Sequence, residues 1–208
     1  MSFHASPDAV VLHDLAVLRH GMPLFRPISG IAAPGTVTWL TGANGSGKSS
    51  LLQFLSGARL QATGQMAFPT IATQHTAQDW QRPIASIGHR LGLQPGLTVA
   101  EHAALLADDR DLAMAALGEL GLAGRANVPI EFLSQGQKQR LAWAIWILSA
   151  RARIWLLDEA FANLDAAGVA ILAAMGKTHI GDGGIIIYTA HQPIPGIGPD
   201  AEWQLVAA

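Results

Sequence analysis

The sequence predicts an α/β fold in which a mainly parallel core sheet, flanked by helices, carries a phosphate-binding loop. Three stretches support this. TGANGSGKSS, at 41–50, is a glycine-rich loop between a β-rich segment and a helically spaced one. IWLL, at 154–157, and IIIY, at 185–188, are short continuous apolar runs, each followed by polar residues suited to chemistry. Such runs fit parallel strands buried on both faces, and α/β sheets bind ligands beyond the C-terminal ends of their strands.

Taken in chain order, TVTWL at 36–40 follows the turn residues Pro34 and Gly35 and reads as a strand, while SSLLQFLSG at 49–57 has helical spacing and stops at Gly57. The pattern GxxxxGK[ST] between them is expected by chance in about one chain of this length in a hundred. Its flanks make chance rarer still. Gly42, Gly45 and Gly47 permit turns closed to other residues and let successive backbone N–H groups converge on phosphate oxygens. The expected nucleotide-binding set is Gly42, Ala43, Asn44, Gly45, Ser46, Gly47, Lys48, Ser49 and Ser50. Within it Lys48 reaches the β- and γ-phosphates of ATP and the Ser49 hydroxyl ligates Mg²⁺.

EFLSQGQKQRLAWAIWIL, at 131–148, opens with Ser134 and has Gln137 three residues later, a capping box that starts a helix. Leu141, Ala144, Ile145 and Leu148 form its apolar face, and Trp143, Trp146 and Trp155 read as core. A capped helix start is also an anion site, and Gly136 lets a phosphate approach closely. The run at 154–157 then delivers Asp158 and Glu159 to a strand end. Asp158 is expected in the Mg²⁺ shell and Glu159 as the general base that polarises the attacking water. The last run delivers His191, within reach of a γ-phosphate if its strand lies in the same sheet. The other histidines show no metal- or haem-ligating spacing.

Composition bounds the rest. Half of the 208 residues are hydrophobic, enough for a sizeable core in one domain or in one domain with a small subdomain. A net charge of −2 without any Lys/Arg block argues against a broad nucleic-acid footprint. The absence of cysteine excludes disulfides and thiolate metal sites. MSFHASPDAVVLHDL does not read as a secretory signal, so the protein is expected to stay in the cytoplasm. LAWAIWILSARARIWLL is interrupted by Arg151 and Arg153 and reads as two buried elements, not a membrane span.

The order of phosphate loop, LSQGQ, apolar run with Asp158 and Glu159, Asp165 six residues beyond the glutamate, then His191 resembles the ATP-binding-cassette ATPases over nearly the whole chain. LSQGQ, at 133–137, is the specific element. The resemblance implies a P-loop NTPase of the ABC type, one domain over 1–208. It adds an N-terminal antiparallel β region and a helical subdomain at about 91–145 that carries the signature. It further implies a head-to-tail dimer in which Ser134, Gly136 and Gln137 of one copy cap the γ-phosphate held by Lys48 of the other. Asp165 would communicate across that interface and His191 would sense the γ-phosphate. A single phosphate loop per chain requires two copies, and integral membrane subunits are the implied partners.

IGHRLGLQPGLTVAEH and the continuous segments IWLLDEAFANLDAAGVAIL and GGIIIYTAHQP are similar to the haem-exporter branch of that family, which serves bacterial cytochrome c maturation. This implies an ATPase at the cytoplasmic face of the inner membrane, linked through its complex to a periplasmic haem chaperone. The alternatives are a cassette ATPase for another small substrate, such as a drug or lipoprotein, and a nucleotide-gated subunit with little hydrolysis. Two departures from the family pattern matter, and a third, at Ala160, is expected to matter little. Arg90 occupies the place of a glutamine that usually touches Mg²⁺, and a guanidinium cannot ligate a metal. No aromatic stands near Arg19 and His20 to stack on adenine, so one of these flat side chains is expected to substitute, with Tyr188 belonging to the sheet. Ala160 replaces a common proline.

Overall fold

The computed structural model describes residues 9–67, 84–88, 91–106, 110–148, 152–162 and 164–208. Two sheets and the helices between and around them make up these residues. The first sheet is antiparallel. Its central strand β1 (Val10–Arg19) pairs on one side with β2 (Met22–Pro23) and β3 (Ile28–Ala32), and on the other with β5 (Gln61–Ala67). Register shifts at 12–15 against β3 and at 13–16 against β5, beside Asp14 at φ 47°, mark a bulge that breaks the alternation of β1.

The second sheet is wholly parallel, in the order β6 (Ile84–Ile87), β7 (Ile154–Asp158), β8 (Ile185–Thr189), β4 (Val37–Gly42), β9 (Ala201–Leu205). The two apolar runs are its adjacent strands β7 and β8, and every residue of β8 is buried. Side-chain alternation divides their residues between two cores. Ile154, Leu156, Ile185 and Ile187 face α1 (Lys48–Leu55), whose Leu51, Leu52 and Leu55 also meet Leu12, Leu15 and Val17 of β1. Leu157, Ile186 and Tyr188 face the other way, where α5 (Ala166–Gly181) packs through Leu172 and Ala173. That core continues into the mutually packed α2 (Val99–Leu106), α3 (Arg110–Glu119) and α4 (Gln135–Leu148).

Local chemistry fixes the helix starts. Thr98 and Glu101 form a reciprocal cap on α2, with the Thr98 N–H and hydroxyl each 2.8 Å from the Glu101 carboxylate. The Ser134–Gln137 box predicted for α4 is present: the Ser134 N–H donates to Gln137 Oε1 at 3.0 Å, and the Gln137 N–H donates to Ser134 Oγ at 3.2 Å. Leu141 and Trp143 are buried as expected, whereas the side chains of Ala144, Ile145, Trp146 and Leu148 lie outside the described residues. Among the described residues no helix is long and apolar enough to cross a membrane.

Two histidines that the site chemistry does not use are shielded from water, His102 buried and His179 half-buried. His102 of α2 has neither ring nitrogen bonded, and His179 near the end of α5 stacks on Trp155 at 4.0 Å. Burial pushes both imidazoles below the ordinary value of 6.5. Each is therefore neutral in the fold and takes up its proton more readily in the unfolded chain. Above about pH 6.5 this has no effect, and stability is lost as the pH falls from there to the folded-state values. Melting temperature is expected to drop between pH 7 and pH 5, above the range where carboxylates titrate. His102→Leu should flatten that slope, as thermal melts across the range would read.

Candidate active site

The parallel register brings three chain segments to one end of the sheet. The strand β4 runs directly into the phosphate loop, and two of its glycines are demanded by close approach. Gly42 has φ 140°, and a Cβ there would lie 2.5 Å from the Leu205 carbonyl oxygen. Gly47 has φ 95°, and a Cβ would meet the Phe25 ring at 2.8 Å. Gly47 is the N-cap of α1 and provides no side chain to close the helix, so the first-turn N–H groups and the positive end of the dipole face outwards. The Lys48 ammonium folds over the loop and donates to the Gly42 and Ala43 carbonyls at 2.8 and 2.9 Å. Ser46 is buried, Ser49 and Ser50 are half-buried, and Ala43, Asn44 and Gly45 are exposed.

Asp158 and Glu159 stand at the end of β7, where Asp158 pairs in register with Thr189 of β8. The Thr189 hydroxyl donates to Asp158 Oδ1 at 2.8 Å and accepts from the Glu159 N–H at 2.9 Å. The same N–H also reaches the Thr189 carbonyl, at 3.2 Å. Glu159 has φ 52°, a left-handed conformation uncommon for a residue with a side chain and found disproportionately at functional sites. This geometry leaves Glu159 Oε1 4.0 Å from His191 Nε2. A cleft of about 300 Å³ has Asn44, Lys48, Glu159 and His191 on its walls, together with Trp39 and Glu202. Cation, carboxylate and imidazole thus converge on one space, an arrangement able to hold phosphates and activate water.

Asp158 and Ser49 offer a carboxylate and a hydroxyl. That hard-oxygen pair suits Mg²⁺, which keeps several waters and shares its shell with substrate phosphates. Among the described residues no group of three or more His, Asp or Glu could hold a metal alone.

The remaining expected site residues lie elsewhere. Ser134, Gly136 and Gln137 start α4 and do not line the cleft. Asp165 caps α5, accepting from the Gly168 N–H at 2.8 Å, and makes an ion pair with Arg140 of α4. The Gly168 N–H and then the Arg140 charge hold its carboxyl below the usual carboxylate range. One residue before Arg140, the buried Gln139 amide donates to the Ala160 carbonyl at 2.9 Å. The helix that begins with the signature is therefore bonded in cis to both ends of the loop after Glu159. Arg19 and His20 are at the β1–β2 turn, where His20 and Gly21 have φ 53° and 80°. Tyr188 is in the sheet, fully buried. Arg90 lies outside the described residues.

Two site residues were not anticipated. Thr189 clamps both carboxylate residues, and Trp39 donates its indole N–H to the Ala190 carbonyl at 3.2 Å. Neither is marked by spacing. A threonine opposite the aspartate, once both strands are aligned, is the one available signal.

Comparison with known proteins finds relatives along nearly the whole chain. A family model described as ABC transporter matches residues 25–162. The chain is 37% identical over 188 residues to the cytochrome c biogenesis ATP-binding export protein CcmA of Aromatoleum aromaticum, covering 88% of each. It is 34% identical to the protein of that name from Nitrosomonas europaea, covering 90% of each. Among solved structures, the ATP-binding subunit of an ABC transporter superposes with a TM-score of 0.81 over 94% of this chain and 85% of its own, at 20% identity. A putative ABC transporter ATP-binding protein from Pyrococcus furiosus gives 0.76, at 19% identity, over 95% and 98%.

Proposed function

The chain belongs to the ABC transporter family as a transport-coupled ATPase subunit, and from that premise we propose that it powers haem delivery in bacterial cytochrome c maturation. The observation that carries the catalytic part is the convergence of Lys48, Glu159 and His191 on one cleft. The phosphate loop and the open N-terminus of α1 bind the phosphates of ATP, with Lys48 moving from its own carbonyls to the β- and γ-oxygens. Glu159 accepts a proton from the attacking water while Thr189 fixes its backbone. His191 meets the γ-phosphate from beside Glu159. Asp158 and Ser49 would hold Mg²⁺, which supplies neutralisation of phosphate charge when bound.

Completion of the site needs a second copy, because LSQGQ does not line the cleft of its own chain. In a head-to-tail dimer Ser134, Gly136 and Gln137 of the partner subunit cap the γ-phosphate, and Asp165 reports closure through the Arg140 pair on α4. The dimer works on integral membrane subunits from the cytoplasmic face of the inner membrane and serves the periplasmic haem chaperone only through them. Similarity to relatives named for cytochrome c biogenesis export supports that assignment.

Two measurements test it. Affinity purification from membranes is expected to capture integral subunits of the cytochrome c system, and deletion of the gene is expected to abolish holocytochrome c, with restoration by the intact gene. Capture of drug or lipoprotein transporter subunits, with cytochrome c yield unchanged, would transfer the subunit to another substrate.

A further inference from the structure

We propose that Trp39 is a positioning residue for hydrolysis: it ties the backbone that carries His191 to the strand that carries the phosphate loop. This rests on the reading of His191 as the group that meets the γ-phosphate. The His191 side chain is 79% exposed and its near neighbour is the Glu159 carboxylate at 4.0 Å, so packing does not place it. Its position is inherited from residues 189 and 190.

That short segment is gripped from both neighbouring strands. On the β7 side, Thr189 is bonded to Asp158 and to the Glu159 N–H. On the β4 side, Trp39 pairs in register with Tyr188 and stacks on its ring at 6.3 Å and 8°, and the indole N–H reaches past Thr189 to the Ala190 carbonyl at 3.2 Å. Trp39 also lines the cleft with Lys48, Glu159 and His191. Three residues further along β4 the phosphate loop begins at Gly42, so one strand sets both the loop that grips phosphate and the carbonyl immediately before His191. Tryptophan can do this because its indole has a single donor at the far edge of a large flat ring, long enough to cross to the next strand's end.

The test is Trp39→Phe, which keeps an aromatic ring against Tyr188 and removes the donor. Single-turnover ATP hydrolysis by the assembled complex is expected to slow about fivefold, equivalent to about 1 kcal/mol, the net worth of one hydrogen bond. ATP affinity should hold, while the melting temperature should fall by only about 2–4 °C, the shift that about 1 kcal/mol gives a chain of this size. In a His191→Ala background the same substitution should have no further effect, since nothing remains to be positioned. Trp39→Leu reads the same loss should Trp39→Phe fail to assemble. Equal slowing in both backgrounds, loss of ATP affinity, or a parental rate for the Trp39 variants beside a slow His191→Ala would each overturn the inference. A parental rate for His191→Ala would remove the reading of His191 and this inference with it.

Discussion

Glu159→Gln is expected to slow ATP hydrolysis by about 10²-fold or more while leaving nucleotide binding intact, the usual reach of a general base. The amide keeps the shape of the side chain and the Thr189 bonds to the backbone N–H, but it cannot accept the proton of the attacking water. With ATP bound and not consumed, the closed dimer should accumulate, readable by size-exclusion chromatography in ATP and Mg²⁺. The rate is measured as phosphate release by the assembled complex, and a parental rate there would mean another group takes the proton.

Lys48→Ala has a comparable effect by a different route. The ammonium is part of the cleft wall, held over the loop by the Gly42 and Ala43 carbonyls. Without it the phosphates lose a charge-assisted partner, and hydrolysis should fall by about 10²- to 10³-fold, together with ATP affinity. Mixing Lys48→Ala with Ser134→Arg subunits separates shared sites from independent ones. The heterodimer collects both lesions in one composite site and leaves the other whole, so activity should partly return. Mixtures as inactive as either parent, with heterodimer formation verified, would mean that each chain completes its own site.

The readable parts of this protein were those encoded locally. The runs at 154–157 and 185–188 announced β7 and β8 because strands buried on both faces need no alternation, and the Ser134–Gln137 box needed only a spacing of three. β5 had no such signal: its sequence QATGQMA is largely exposed and becomes a strand through pairing with β1. β1 was obscured by its bulge at Asp14, and the antiparallel region was therefore expected from family resemblance alone. At the site, the glycine loop, Asp158, Glu159 and His191 were legible because each follows a recognisable strand. Thr189 and Trp39 were not, since their roles arise from cross-strand register, and the Arg140–Asp165 pair joins residues on separate elements. His102 and His179 have no ligating spacing, and it is their burial in the fold, invisible in the sequence, that lowers their pKa values.

The sheet order has a consequence for the newborn chain. β4, the strand that ends in the phosphate loop, is hydrogen-bonded to β8 and β9 alone among the described strands. The Val37 N–H reaches a carboxylate 163 residues downstream, at Asp200. At a translation rate of about 5–20 residues per second, β4 waits on the order of ten seconds at the ribosome before either neighbour exists. During that interval it is an unpaired strand edge, and Gly42 has no Leu205 carbonyl to turn against. Nucleotide cannot act as an early folding template here: the phosphate cradle is made early and is among the last parts of the protein to be completed.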